Sequence, residues 1–217
     1  MKVRAKQSPV QQPAYVMRDG RAHWPAEHGI SLVHYLPPEL IRAIPFDGIN
    51  QSFGGQRASM VRAIPKPHIT VFPLHVLRGT EDLSADFGRL SDKLRQIHLS
   101  GFLPFRISYD GVQVTRETYA GTRVQLVAES EILRDIRSRV LDCHPKKFEP
   151  RTTGTFTLVE CFENVEADER EGVVSRVEGL FAETLPLVVT IDKLTLSYHK
   201  DNGHSQILAR EDFCLTA

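Results

Sequence analysis

Cysteine is scarce. The 217 residues hold three, Cys143, Cys161 and Cys214, with no CxxC pair and no metal-ligand spacing. That pattern excludes a disulfide framework and a structural zinc module, and it reads as reduced, buried thiols in a cytoplasmic protein. Neither sign of charge dominates: Lys+Arg and Asp+Glu are both 27. Net charge therefore points to neither nucleic acid nor a membrane, and any charge-based binding must come from local clusters. No apolar run reaches the roughly 18 residues of a membrane span. The N-terminus lacks the apolar stretch of a secretory signal. What is present, 41% hydrophobic and 25% charged residues, fits a globular protein. The length suits one large domain or two small lobes around a shared core.

Residues 1–28 are rich in Gln, Pro, Arg and Ala and show no periodicity, so they are expected to form a loosely ordered arm, with Tyr15 and Trp24 available to dock. The body, 29–217, opens on the β-rich run Gly29–Leu36. Pro37-Pro38-Glu39 then starts a short helix, because proline is tolerated in a first helical turn. Residues 47–66, with three glycines and Arg57, Arg62 and Lys66, read as a mobile basic loop.

From there the chain repeats an order of elements. Strand His68–Phe72, a helix near 81–98, the strand 103–112 and the strand 122–128 make one unit. Strand Thr155–Cys161, a helix near 166–183, the strand 185–194 and the strand 205–209 make the other. The units span about 67–128 and 154–210. An offset of about 87 residues relates the first strands, and one of about 82 aligns Leu103-Pro104 with Leu185-Pro186, Asp110 with Asp192 and Leu126 with Leu208. A helix over 130–142 links the units. Alternation in the Leu-Pro strands, with Phe105, Ile107 and Tyr109 on one face, suits sheets covered on one side. The expected fold class is α+β: two pseudo-symmetric lobes whose antiparallel sheets line a central cleft, with helices outside.

In a strand, residues i and i+2 share a face. His68 and Thr70 therefore point together, away from Ile69 and Val71. Thr155 and Thr157 do the same in the second unit, and Thr153 and Arg151 extend that face if the strand starts early. An imidazole titrates near neutral pH and moves protons; a hydroxyl donates to a phosphate oxygen. Two such pairs on facing strands suit one phosphodiester. Basic residues precede both: Arg57, Arg62 and Lys66 before the first, Lys146, Lys147 and Arg151 before the second. They suit an anionic ligand, although loop charges are usually just solvated.

Over roughly residues 29–217 the chain resembles the two-histidine (2H) phosphoesterases. The residues that carry the resemblance are Leu32–Glu39 (LVHYLPPE), Pro67–Val71 (PHITV) and Leu185–Leu196 (LPLVVTIDKLTL). That family includes 2′,3′-cyclic phosphodiesterases and 2′-5′ RNA ligase-like proteins. It carries two His-x-Thr/Ser motifs in a bilobal fold and works without a metal or other cofactor. The resemblance implies a hydrolase acting on a 2′,3′-cyclic phosphate or a short RNA end, with a nucleotide or RNA terminus as its partner. It implies His68, Thr70, Thr155 and Thr157 as the catalytic set. Arg57, Arg62, Lys66, Arg151, Thr153 and Tyr198 are then candidates for contact with substrate. A monomer with no obligate protein partner is expected.

This chain departs from the family at Thr155, where the second histidine would stand. Threonine does not ionise near neutrality, and losing one proton-transfer group commonly costs about 10²–10⁴ in rate. His144 and His34 are candidate substitutes. His199 and His204, flanking a turn marked by Asn202-Gly203, read first as surface or packing residues. The alternative to a hydrolase is a module that binds a nucleotide or RNA terminus without turning it over.

Overall fold

The computed structural model describes residues 15–75, 80–97, 99–117, 121–143, 149–163, 165–201 and 203–216. The first described residues are not loose. Strands β1 (Val16–Arg18) and β2 (Arg21–His23) pair as a hairpin. Ala22 is fully buried, with its amide donating to Ser59 O. Tyr15 and Trp24 both pack on Phe162, with ring centroids 5.6 and 5.5 Å away. The segment expected to be a basic loop is also structured. It holds helix α2 (Phe46–Gln51) and strand β4 (Val61–Ala63), because Ile49, Phe53, Met60 and Val61 enter the core.

Strand β3 (His28–Tyr35) runs into helix α1 (Pro38–Ala43), where Pro38 stands within the first turn. Strand β5 (His68–His75) is followed by helix α3 (Ser84–Gln96), strands β6 (Phe105–Tyr109), β7 (Gly111–Glu117) and β8 (Gly121–Glu129), and helix α4 (Glu131–Val140). Ser130 caps α4 by accepting from the Leu133 amide, a usual way to satisfy a first-turn donor. Leu133, Ile136 and Val140 face the core at helical spacing. Strand β9 (Thr153–Cys161), helix α5 (Ala167–Phe181) and strands β10 (Leu187–Ile191), β11 (Lys193–Lys200) and β12 (Gln206–Cys214) complete the chain. Among the described residues no helix is long and apolar enough to cross a membrane.

The main sheet runs β12-β11-β3-β5-β9-β8-β7, with β4 also on β9. All pairings are antiparallel. Strands β5 and β9 pair through one residue couple, Ile69 with Phe156. The sheet is thus two antiparallel halves that meet at a point and part beyond it. That is the bilobal α+β architecture expected of the sequence. Strands β6 and β10 form their own two-stranded ribbon.

The junctions mark a pseudo-twofold axis. Ile69 pairs with Phe156, its counterpart at the offset of 87, and Ile107 pairs with Val189, its counterpart at 82. The order is symmetric about β5 and β9: β3 mirrors β8, and β11 mirrors β7. This differs from the expected units in one respect. The mirror of β8 is β3, not β12, and the Leu126–Leu208 match is not structural. Leu126 is fully buried while Leu208 is exposed on a strand outside the symmetric set.

One glycine is forced by packing. Gly121 opens β8 with φ +90°, and a Cβ there would lie 2.0 Å from Cys161 O. No larger residue fits without moving the end of β9.

Candidate active site

The Ile69–Phe156 couple decides which side chains meet. Both are fully buried in the core. The antiparallel register then sets His68 beside Thr157 and Thr70 beside Thr155, all four half-buried on the opposite, polar face. His68 and Thr155 are diagonal neighbours across the junction. The hydroxyls are oriented by what lies next to them. Thr157 Oγ1 accepts from Gln125 Nε2 at 2.9 Å, and Gln125 Oε1 accepts from Thr115 Oγ1 at 3.2 Å. With its lone pair engaged, the Thr157 hydroxyl has its own proton left to donate.

His68 Nδ1 lies 2.8 Å from Lys66 O. A carbonyl only accepts, so Nδ1 carries the proton and Nε2 of the neutral ring is bare. Desolvation pushes the His68 pKa down to about 4, partly opposed by the Lys66 hydrogen bond. The imidazole is therefore an uncharged proton acceptor at neutral pH.

Two more imidazoles gather on it. His204 stacks on His68 with centroids 3.8 Å apart and planes 28° apart, and its other face stacks on His199 at 3.5 Å and 19°. Both are nearly fully buried. His199 reaches this face from β11, which alternates Thr195, Ser197 and His199 on one side. Its Nδ1–H donates to Asp201 O at 3.0 Å, and Ser31 Oγ stands 3.2 Å from Nε2. His204 returns through the β11–β12 turn, where both it and Asp201 have positive φ. The Asp201 carboxylate holds that turn by accepting from the Gly203 and Ser205 amides. Tyr35 Oη lies 2.8 Å from His204 Nδ1 and donates to Ser197 Oγ at 2.7 Å. Burial pushes His199 down to about 4 and His204 lower still, with like charges as the second cause for His204. Among the described residues no group of His, Cys, Asp and Glu is arranged to hold a metal ion.

Beyond the junction β5 and β9 would leave bare carbonyls, and Arg137 of α4 satisfies them. Its guanidinium donates to Val71 O and Thr70 O on one strand (3.0 and 3.2 Å). It also donates to Arg151 O and Thr153 O on the other side (2.6 and 2.8 Å). This clamp fixes the spacing between Thr70 and Thr155. A cavity of about 450 Å³ opens there, lined by Thr70, Arg137, Arg151, Thr153 and Thr155. A larger one, about 790 Å³, is lined by His34, Tyr35, Lys66, Lys193 and Arg210. Both fall within the usual range for small-molecule sites.

The fate of the residues singled out from sequence is mixed. His68, Thr70, Thr155 and Thr157 come together, Arg151 and Thr153 line the smaller cavity, and Lys66 lines the larger. Thr153 Oγ1 donates to Glu129 at 2.8 Å. Four others are engaged elsewhere. Tyr198 is buried on the core face, its hydroxyl accepting from the Leu83 amide at 3.1 Å, so it cannot stack on a ligand at His68. Arg57 pairs with Glu163 and Glu169 at the start of α5. Arg62 donates to Val61 O and Ser59 O. His34 pairs in register with the core residue Ile69, so it points away from His68; its Nδ1–H donates to Lys193 O. His144, with Lys146 and Lys147, lies outside the described residues. His199 and His204 join the site although their sequence context reads as surface or packing, and no local pattern singles out Tyr35, Gln125 or Arg137. The Ser-x-His spacing of Ser197 and His199 was a readable signal. His204 had none, since its position depends on how the turn folds back.

No protein-family model and no curated protein matches the chain. Solved structures do. TT0787 of Thermus thermophilus is similar at 18% identity and a TM-score of 0.51, over 85% of this chain and 97% of its own. The conserved protein ATU0111 of Agrobacterium tumefaciens is similar at 16% identity and a TM-score of 0.59, over 97% and 94%. Usb1 of Kluyveromyces marxianus aligns at 14% identity and a TM-score of 0.47, over 87% and 98%. Likeness at these identities bears on the fold alone, and the chain shares the bilobal, pseudo-symmetric α+β fold of TT0787 and ATU0111.

Proposed function

We propose that the chain is a phosphodiesterase that opens 2′,3′-cyclic phosphates or trims short RNA ends, with His68 as its proton-transfer group. The observation that carries this reading is the tautomer of His68. Its Nδ1–H is tied to Lys66 O, leaving a bare Nε2 on the face that carries Thr70, Thr155 and Thr157. Phosphate oxygens accept from the three hydroxyls. The negative charge of the bound ester raises the His68 pKa back toward the ordinary range, where an imidazole is an effective base. Nε2 takes a proton from water as the oxygen attacks phosphorus. The same imidazolium then returns that proton to the departing sugar oxygen, so the ring ends as it began. One group serving both steps forgoes a dedicated acid, which lowers the rate by about 10²–10⁴ relative to a two-imidazole site.

The experiment is hydrolysis of the four 2′,3′-cyclic nucleotides by the pure protein and by His68→Ala. The expected result is slow, reproducible turnover that falls at least about 10²-fold in the variant. Turnover unchanged in His68→Ala would sink the reading. A second reading, a module that binds a nucleotide or RNA terminus without turnover, is favoured by the depressed His68 pKa and by the hydroxyl at Thr155. Saturable binding of 2′- and 3′-nucleotides with no hydrolysis of any cyclic phosphate would select it.

A further inference from the structure

We propose that Tyr35 and His204 are positioning residues for His68, holding its ring in one plane and one tautomer with Nε2 turned to the ligand. The inference rests on the reading of His68 as the proton-transfer group. It comes from the geometry of the cluster. Among the described residues the His68 ring has one hydrogen bond, at Nδ1, about which it could still swing. Two contacts close that freedom: the face of His204 at 3.8 Å and the ring of Tyr35 edge-on at 5.7 Å and 69°.

His204 is itself held on three sides. Tyr35 Oη takes its Nδ1, His199 takes its far face, and the Asp201 turn sets its backbone. His199 in turn is tied at both nitrogens. Of the three rings, only His68 has a nitrogen with no described partner that lies on a half-exposed residue. The titratable side chains that act on the stack include Lys66 and His28, and among the described residues no carboxylate hydrogen-bonds any of the three rings. Backbone carbonyls favour the proton on both His68 and His199, and burial holds both at about 4. A stack of three imidazoles tolerates one positive charge far better than two, so a proton taken by His68 opposes charging of its neighbours.

The test uses the full chain labelled with ¹⁵N-histidine and needs no substrate. NMR reads the tautomer and titration of His68 in wild type, His204→Ala, His204→Phe and Tyr35→Phe. Wild type should hold His68 almost wholly as the Nδ1–H form. His204→Ala frees the ring, so that form should fall to a minority and the titration midpoint should rise from about 4 toward that of free histidine. His204→Phe keeps a flat ring in the stack and should restore the wild-type signature. Tyr35→Phe keeps the edge contact but loosens His204, and should shift the same signals less. A merely structural role would lower thermal stability without touching the tautomer. An unchanged His68 signature in His204→Ala would overturn the proposal. If that variant does not fold, an unchanged signature in Tyr35→Phe would do so. Cyclic-phosphate hydrolysis judges the parent reading separately.

Discussion

The imidazole stack should make this fold sensitive to mild acid. His199 is about 2% exposed and titrates at about 4 in the folded chain. In the unfolded chain it titrates near 6.5. Between those values the unfolded state holds the extra proton, so stability rises with pH across the window. The stabilisation is fully present above about pH 6.5 and is lost as the pH falls toward 4. For one such histidine the loss approaches about 3 kcal/mol. His68 and His204 act in the same direction, but the three cannot be added, because charging one ring raises the cost of charging the next. In a chain of this length about 3 kcal/mol corresponds to roughly 6–12 °C in Tm. Asp82 and Glu129, whose carboxyls are held below their usual range by hydrogen bonds, contribute only at lower pH. Glu27, raised by burial, works with the opposite sign. Urea unfolding at pH 7.5, 6.5, 5.5 and 4.5 would measure the slope. The double variant His199→Phe/His204→Phe keeps the aromatic faces, removes two of the titrating groups and should flatten the profile. A wild type as stable at pH 4.5 as at 7.5, or a double variant with the same slope, would refute the reasoning.

Three further outcomes follow from single side chains. Arg137→Leu strands four backbone carbonyls, three of them on strands, and should cost at least about 3 kcal/mol in urea unfolding; a loss under about 1 kcal/mol would mean that β5 and β9 close without the clamp. Gly121→Ala combines a positive φ with a Cβ driven into Cys161 O and should cost about 3 kcal/mol, read as a lowered Tm; a neutral result would contradict the packing at the end of β9. Thr155→His sets a second imidazole diagonal to His68 and should raise cyclic-phosphate hydrolysis at least about tenfold, with the gain abolished by adding His68→Ala. A folded Thr155→His protein without gain would favour the binding module.

Much of the fold was legible because it rests on local patterns. Alternation marked β6 and β10, helical spacing marked α4, and the offsets of 87 and 82 are the same offsets at which Ile69 meets Phe156 and Ile107 meets Val189. The parity of His-x-Thr correctly put Ile69 in the core and His68 and Thr70 on the other face. What stayed hidden depends on contacts far apart in the chain. Nothing local tells that Arg57 is consumed by α5 or that Tyr198 faces inward; strand parity by itself leaves open which face is the core until a register is known. His204 depends on a turn with two positive φ values, and Arg137 matters only because two strands part where it stands.

The order of the main sheet has a consequence for how the molecule is made. Strand β11, from the end of the chain, pairs with β3, from its beginning, and the Tyr35–Ser197 hydrogen bond joins residues 162 apart. Strand β7, from the first half, completes the sheet of the second. Each lobe therefore borrows a strand from the other half of the polypeptide. During synthesis β3 emerges long before β11, and the edge that β11 covers stays unpaired until β11 has emerged as well. Pairing across such separations is slow to form and leaves sticky edges exposed meanwhile. A polypeptide cut between β7 and β8 would yield two pieces that each lack two strands, β11 and β12 from one and β4 and β7 from the other. Neither should become native alone, and the two together should recover the fold only by trading strands.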